Sequence, residues 1–252
     1  MGQHKLSLSS RADRKSRFLL VVDSNTSNLL YTSTLLRRFE YQIYMARTAS
    51  EALAITEVAV PSLIIIDQNL TDMDGNDLLQ IFKHNPRISF VPVITLRKNS
   101  DLLGEKASKE RGAAYCLNEP VMADQLYRAV QALVETHPRT NIRIRTLLPV
   151  QVHTNPLTGI EGACTLDLSE HGMFLRTTRP APVNTRLVFQ INLYGQIIRA
   201  EGVVLYSNRT AGTPYTEPGM GLEFVRITQE DQDFIRQFIR NEVMRGIIPG
   251  VA

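Results

Sequence analysis

The sequence predicts two folded parts: a doubly wound α/β part on a five-stranded parallel sheet, and a six-stranded antiparallel β-barrel that ends in a C-terminal helix. Short apolar runs alternate with helix-like segments as far as Pro138. Beyond Pro138 the apolar runs are β-rich, Gly, Pro, Asn and Ser separate them, and one amphipathic pattern follows. We therefore expect a disordered basic tail over 1–16, a first domain over 17–136 and a second domain over 137–252.

The first domain is predicted from five apolar runs of strand length. These runs are FLLVV (18–22), YQIYMA (41–46), SLIII (62–66), FVPVITL (90–96) and AAYCL (113–117). Helices are expected from the capping residues Thr26, Ser27 and Asn28 to about Arg38, over 50–59 with Ser50 as the cap, and over 77–84, 100–111 and 122–136. Strands that alternate with helices form parallel sheets covered on both faces, and such sheets gather their chemistry at the carboxyl ends of the strands.

Six β-rich runs predict the barrel of the second domain. They are LLPVQVHT, ACTLDL, GMFLRT, RLVFQINLY, IIRAEGVVLYS and GMGLEFVRI. The closing helix is expected from Thr228 to about Arg245, with Thr228 and Asp231 as a capping pair. Its apolar residues fall on one face, which we expect to pack on the barrel.

Composition and charge argue against several classes of protein. A net charge of +3 on 28.4 kDa, spread over both domains, does not indicate a nucleic-acid binder. Cys116 and Cys164 lie in separate apolar runs, which is typical of buried thiols in a reducing cytosol. The five histidines lack metal-ligand spacing, so no metal is expected, and no apolar run is long enough for a membrane span. We expect a cytoplasmic protein that is not an enzyme, because no nucleophile–base pair is evident.

Three positions in the first domain carry a likeness to a known family: Asp23 after the first strand, Asp67 after the third and Pro120 after the fifth. With the stretch IIIDQNLTDMDG they resemble the receiver domain of bacterial response regulators, over roughly residues 17–136. The resemblance implies a flavodoxin-like fold in which Asp67 stands at the phosphoryl-accepting position. It also implies a second acid beside Asp23, a Thr or Ser after strand four and a Lys after strand five, which bind Mg²⁺ and the phosphoryl oxygens.

The sequence departs from that pattern at three positions. Ser24 replaces the second acid, Arg97 replaces the Thr or Ser, and Glu119 replaces the Lys. Because Glu119 turns an attractive charge into a repulsive one, we expect a receiver that is not phosphorylated in the usual way. Strands four and five are neighbours in this fold, so Arg97 is expected either to pair with Glu119 or Asp67 or to extend into solvent.

Two motifs carry the chemistry of the second domain. Arg139 and Arg143 form an Arg-x-x-x-Arg motif before the barrel, and Arg145 follows two residues later. The motif Asp-x-Ser-x-x-Gly occupies residues 167–172, between two apolar runs. Both motifs, in this order and at this spacing, resemble the signature of the PilZ domain over about residues 139–245.

The resemblance implies that the ligand is cyclic di-GMP, which presents two phosphates and two guanines. Arg139 and Arg143 would then clamp phosphates or stack on a guanine. Asp167 would accept hydrogens from a guanine edge, Ser169 would add a hydroxyl contact, and Gly172 would let the backbone come close.

Together these observations predict a bacterial, non-enzymatic cyclic di-GMP effector. Ligand binding to the PilZ domain would change the orientation of the receiver domain, and the receiver or the barrel surface would contact an unidentified protein partner. Neither nucleic acid nor a membrane is an expected partner. Two alternatives stay open: a ligand-free interaction adaptor and a response regulator phosphorylated at Asp67. Pro138 stands where a further Arg is common in the family, so the number of ligand molecules, one or two, also stays open, as does a homodimer.

Overall fold

The computed structural model describes residues 17–98, 102–153, 160, 162–208 and 217–246. The chain forms two compact units, and the division between them falls between Thr140 and Asn141. The basic tail expected over 1–16 lies outside the described residues.

The first unit is built on five strands and five helices. The strands are β1 (Phe18–Val22), β2 (Gln42–Ala46), β3 (Leu63–Asp67), β4 (Val93–Arg97) and β5 (Tyr115–Asn118). The helices are α1 (Thr26–Arg38), α2 (Ala49–Val58), α3 (Gly75–His84), α4 (Leu102–Glu110) and α5 (Ala123–Val134). All strand pairs are parallel, in the order β2–β1–β3–β4–β5, which confirms the predicted doubly wound sheet.

The central strands of this sheet hold polar residues inside the core. Every residue of β3 and β4 is buried, including the last residue of each, Asp67 and Arg97. Asp23, which follows β1, is fully buried as well. The carboxyl ends of neighbouring parallel strands meet at one edge, so the fold brings these three residues to the same end of the sheet.

Two helices begin at caps that differ from those the sequence pattern suggests. Asn25 caps α1 in place of the three residues that follow it, because its side-chain oxygen accepts two backbone N–H groups of the first turn. Thr48 caps α2 in place of Ser50. Ser50 instead donates both its backbone N–H and its hydroxyl to Asp72, a residue of the loop after β3. Ser50 therefore binds a residue of a distant loop and does not cap the helix.

The second unit is one antiparallel sheet followed by a helix. Its elements are β6 (Arg143–Arg145), β7 (Val150–His153), β8 (Cys164–Ser169), β9 (Gly172–Arg176), β10 (Arg186–Leu193), β11 (Gln196–Asn208), β12 (Gly219–Arg226) and α6 (Gln229–Met244). The strand order is β6–β8–β9–β12–β11–β10–β7. Buried and less buried residues alternate along β10, so one face of the sheet forms the core and the other faces outward.

This sheet has seven strands where the sequence pattern predicts six. The first predicted strand corresponds to β7, and the same segment of the chain forms a further strand, β6, before it. Backbone hydrogen bonds of 2.9–3.2 Å tie residues 146–150 to residues 163–166, so the connection between β6 and β7 also runs along β8. Beyond it, β7 pairs with β10. The additional strand β6 precedes the apolar run that predicts β7, and it carries Arg143.

The closing helix α6 begins as predicted, since the Thr228 side chain accepts a 3.1 Å hydrogen bond from the backbone N–H of Asp231. Its apolar face is buried, and the ring of Phe238 lies 4.9 Å from that of Tyr194 in the turn between β10 and β11. Within the described ranges, no helix has both the length and the apolar character needed to cross a membrane.

Candidate functional site

Three carboxylates meet at the carboxyl end of the parallel sheet. Asp23 accepts a 2.7 Å hydrogen bond from the backbone N–H of Asn25, and Glu119 accepts a 3.0 Å bond from the side-chain amide of Asn28. Each of Asp23, Asp67 and Glu119 also has one buried oxygen, Oδ2, Oδ1 and Oε2 respectively, that makes no hydrogen bond within the described structure. Because a buried carboxylate oxygen without a partner is costly when charged, this pocket favours protonation.

The electrostatics of the pocket follow from burial. Desolvation raises the pKa of Asp23 to about 7, and the charges of Asp67 and Glu119 raise it too, against the lowering effect of the Asn25 N–H. Desolvation also raises the pKa of Asp67. For Glu119 desolvation is again the largest cause of a raised pKa, followed by the negative charge of Asp67. Burial therefore disfavours the ionised form of all three groups, and the charge of Asp67 adds to this effect at Asp23 and Glu119.

Lys98 is a residue of this pocket that sequence reasoning missed. Its side chain is exposed, immediately after β4, and its positive charge lowers the pKa of all three carboxylates, against the larger raising effect of burial. The cation that a receiver carries after strand five is absent at Glu119, and Lys98 supplies a positive charge from the neighbouring strand. The adjacent pair Arg97–Lys98 was a signal for it, since residues next to each other on a strand point in opposite directions.

Arg97 does not adopt either of the two placements expected from the sequence. Its side chain is 6% exposed, and it pairs with Glu105 of α4 at 3.1 Å and donates from Nε to Asn118 at 2.9 Å. The predicted pair with Glu119 or Asp67 and the predicted extension into solvent were therefore both wrong. Helix α4 lies beside β5 in this fold and offers a carboxylate closer to the guanidinium, a contact that strand order alone does not reveal.

Ser24, where a receiver carries its second acid, has a structural role. Its hydroxyl donates to the carbonyl oxygen of Arg47 at 2.8 Å and accepts from the backbone N–H of Thr71 at 3.0 Å. Within the described ranges, no three His, Cys, Asp or Glu side chains are arranged to hold a metal ion. Because Ser24 brings no negative charge and its hydroxyl is engaged by the backbone, the residues present do not fit the Mg²⁺ that a receiver binds.

The pocket predicts a pH dependence of stability. The unfolded chain releases the Asp23 proton near 3.8 and the folded chain near 7, so between these values the folded state binds more protons. The free energy of unfolding should therefore fall as pH rises through this window. Asp23→Asn should raise stability at pH 8 by on the order of 2 kcal/mol and flatten the dependence, as measured by urea denaturation of the full chain at several pH values.

Glu57→Gln is the matched control, because Glu57 is an exposed carboxylate of the same unit. It should leave the pH dependence of the urea midpoint unchanged. An Asp23→Asn chain that is as pH-dependent as the wild type would show that Asp23 is ionised normally.

The second unit brings the two sequence motifs together on adjacent strands. Arg143 of β6 lies opposite Ser169 of β8, and Arg145 lies opposite Asp167. Residues directly opposite in an antiparallel pair share a face, so these four residues belong to the outward face of the sheet, where both arginines are exposed, Asp167 is half-buried and Ser169 is only 5% exposed. The intervening Ile144 and Leu168 are buried on the other face. Arg145 was not assigned a role from the sequence, although its spacing of two from Arg143 places it on the same face.

The turn between β8 and β9 explains two residues of the Asp-x-Ser-x-x-Gly motif. The Ser169 hydroxyl donates to the carbonyl oxygen of Gly172 at 2.9 Å, and because Ser169 is buried this bond fixes the turn from inside. A Cβ atom at Gly172 would overlap the carbonyl oxygen of Leu222 on β12. The glycine is therefore required by the close approach of β9 and β12, whether or not a ligand is bound.

The two residues inside this motif tie the turn to the closing helix. Glu170 accepts a 2.6 Å hydrogen bond from Arg236 of α6, and the Nδ1 atom of His171 lies 2.9 Å from the side-chain amide of Gln232. The Arg236 guanidinium lowers the pKa of Glu170. Charged and polar contacts with α6 therefore hold in place the turn that follows Asp167.

Arg139 belongs to the first compact unit. Its backbone N–H donates to the side-chain oxygen of the buried Gln131 at 2.9 Å, and Gln131 in turn donates to the hydroxyl of Tyr41 at 2.9 Å. The Arg-x-x-x-Arg motif therefore has its first arginine anchored at the end of α5 and its second in β6, and the division between the units falls within it.

Comparisons with known proteins agree with this architecture. Residues 19–131 match the response regulator receiver domain, and residues 137–241 match the PilZ domain. The chain is 30% identical over 128 residues to a protein of Vibrio cholerae named "Probable cyclic di-GMP phosphodiesterase", a match that covers 51% of this chain and 28% of that protein. It is 28% identical over 119 residues to "Probable chemotaxis protein CheY" of Rhizobium etli, a match that covers 47% of this chain and 92% of that protein.

Among solved structures, the chemotaxis response regulator CheY4 of Vibrio cholerae is 25% identical, with a TM-score of 0.44 over 46% of this chain and 98% of that one. The chain spans only 28%, 9% and 29% of the length of the first three curated relatives that it matches. The two domain families, in this order, are those the motifs indicate. The chain therefore joins a response regulator receiver domain to a PilZ domain.

Proposed function

We propose that this chain is a non-enzymatic effector that binds cyclic di-GMP on the outward face of its PilZ sheet. The observation that carries the proposal is the register of β6 and β8, which sets Arg143 and Arg145 opposite Ser169 and Asp167. Arginine forks suit phosphate oxygens, and an aspartate carboxylate can accept the two hydrogens of a guanine edge. No metal is part of the proposed site.

Calorimetric titration of the full chain tests this proposal directly. Cyclic di-GMP should bind saturably, and cyclic di-AMP, which lacks the guanine hydrogens that Asp167 would accept, should bind far more weakly. The stoichiometry should distinguish one ligand molecule from two. The absence of any heat of binding with cyclic di-GMP would favour the ligand-free adaptor instead.

The proposed output is a change in the orientation of the receiver domain, which would then meet a protein partner through a receiver or barrel surface. Support comes from the anchoring of the first motif: Arg139 is held by Gln131, whereas Arg143 is part of β6. A ligand that contacts both arginines would restrict the short segment that joins them. Modest interfaces between domains allow several orientations, and a ligand favours the arrangement that it binds most tightly.

This mechanism predicts that cyclic di-GMP slows hydrogen exchange in residues 136–145 and changes the solution scattering profile. Exchange in the interior strands β3 and β4 should stay the same, because every residue of these strands is buried in the core of the first unit. Tight binding without any change in that segment or in the scattering profile would mean that the signal leaves through the barrel surface alone.

A further inference from the structure

Beside Asp167, the outward face of the PilZ sheet carries a row of residues set in register across five strands. Arg145 lies opposite Asp167, Asp167 opposite Phe174, Phe174 opposite Gly221, and Gly221 opposite Tyr206. Opposite residues in antiparallel strands share a face, and neighbouring strands lie about 4.8 Å apart. Phe174 is therefore one strand away from the carboxylate proposed to read a guanine.

The two aromatic rings in this row lie against the sheet. Their centroids are 6.1 Å apart and their planes differ by 30°. A Cβ atom at Gly221 would overlap the Tyr206 ring, and one at Gly219 would come within 2.8 Å of the Phe174 ring. Glycine at both positions leaves room for the two rings to lie over the backbone of β12.

Both rings are half-buried, so each presents part of a face outward. The residues on either side of Phe174 along β9, Met173 and Leu175, are buried in the core, which confirms that Phe174 belongs to the outward face. Had the rings served only to fill the core, they would lie on the other side of the sheet. Aromatic rings on an outward face beside charged groups are typical of surfaces that stack nucleobases.

We propose that Phe174 and Tyr206 form a stacking floor for the guanine whose edge Asp167 binds. The inference rests on the proposed binding of cyclic di-GMP and adds two residues that neither motif contains. A purine held at its edge by Asp167 and extended toward β12 would lie over the Phe174 ring, and Tyr206 would continue the floor. Edge recognition by Asp167 would select guanine, and the floor would supply affinity without selecting the base.

The test is a titration of the full chain with cyclic di-GMP, followed by calorimetry and by ultraviolet absorbance of the guanine. Phe174→Leu and Tyr206→Leu should each weaken binding by about 5- to 100-fold, the range for the loss of a base stacked on an aromatic ring. The wild-type complex should show reduced guanine absorbance from stacking, and Phe174→Leu should lose much of that reduction. Phe174→Tyr keeps a ring and should bind nearly as tightly as the wild type.

Tyr194→Leu is the matched control, since Tyr194 is an exposed aromatic of the same unit that lies in the β10–β11 turn and contacts Phe238. It should bind as the wild type does, and thermal melting of each variant shows whether it is folded. Folded Phe174→Leu and Tyr206→Leu chains with wild-type affinity and absorbance would overturn the stacking floor and leave the proposed function intact. A wild-type chain that fails to bind cyclic di-GMP would overturn both.

Discussion

Replacing Arg143 with Ala is expected to weaken cyclic di-GMP binding by about 1.5–3 kcal/mol, the range for a hydrogen bond to a charged group. Arg143 is exposed on β6 and lies opposite Ser169, so its guanidinium is available to a phosphate on the outward face. Truncation removes those donors from the phosphate. Calorimetry of wild type and variant at one fixed salt concentration measures the difference.

Thermal stability should change little in the Arg143→Ala chain, because an exposed side chain at the edge of the sheet contributes little packing. Arg199→Ala is the matched control: Arg199 is also an exposed arginine of the same sheet, but it lies on β11 opposite Gln190. Its replacement should leave affinity unchanged. Equal affinity of the Arg143→Ala chain and the wild type would remove the arginine clamp from the mechanism.

Asp67 is expected to stay unmodified when the chain is incubated with acetyl phosphate and Mg²⁺, or with beryllofluoride. The incoming phosphoryl group would meet the buried Asp23 and Asp67 and the half-buried Glu119, whose desolvated carboxyl groups resist ionisation, and the exposed Lys98 supplies only one positive charge beside them. The hydroxyl expected after strand four is absent, because Arg97 occupies that position and pairs with Glu105. Intact mass spectrometry should therefore show the unmodified chain alone.

The triple change Ser24→Asp, Arg97→Thr and Glu119→Lys provides the matched comparison, since it restores the residue types of a working receiver. We expect this variant to gain a phosphoryl group under the same conditions, provided that its melting temperature shows it to be folded. Stoichiometric modification of the wild type at Asp67 would contradict the non-phosphorylatable receiver and favour the phosphorylated response regulator.

Much of the fold could be predicted from local sequence patterns. Buried runs such as SLIII, alternating with helical segments, are enough to predict a parallel sheet, since helices that alternate with strands cover both faces of the sheet. The position of Asp67 at the end of its strand follows from the same pattern. The motif residues Arg143 and Asp167 could be found as well, because their spacing and their flanking apolar runs are local properties of the chain.

Other features depend on residues that meet only in the folded chain. Arg97 is buried because Glu105 of α4 provides a carboxylate, and Thr48 replaces Ser50 as a cap because Asp72 binds Ser50. In both cases a distant side chain competes successfully with the local preference. Sequence patterns describe the preference of a segment for its own structure and carry little information on which distant partner is available.

The sequence by itself determined the five strands of the first unit, six of the seven strands of the second, and the position of the motif residues beside them. Only the tertiary structure decided that Arg145 lies opposite Asp167 and that Phe174 and Tyr206 share a surface across Gly221. The reason is register: irregularities near Leu166 and Leu205 shift the pairing of β8 with β9 and of β11 with β12. A shift of one residue moves a side chain to the other face of a sheet, so neighbours across strands are fixed by pairing rather than by sequence spacing.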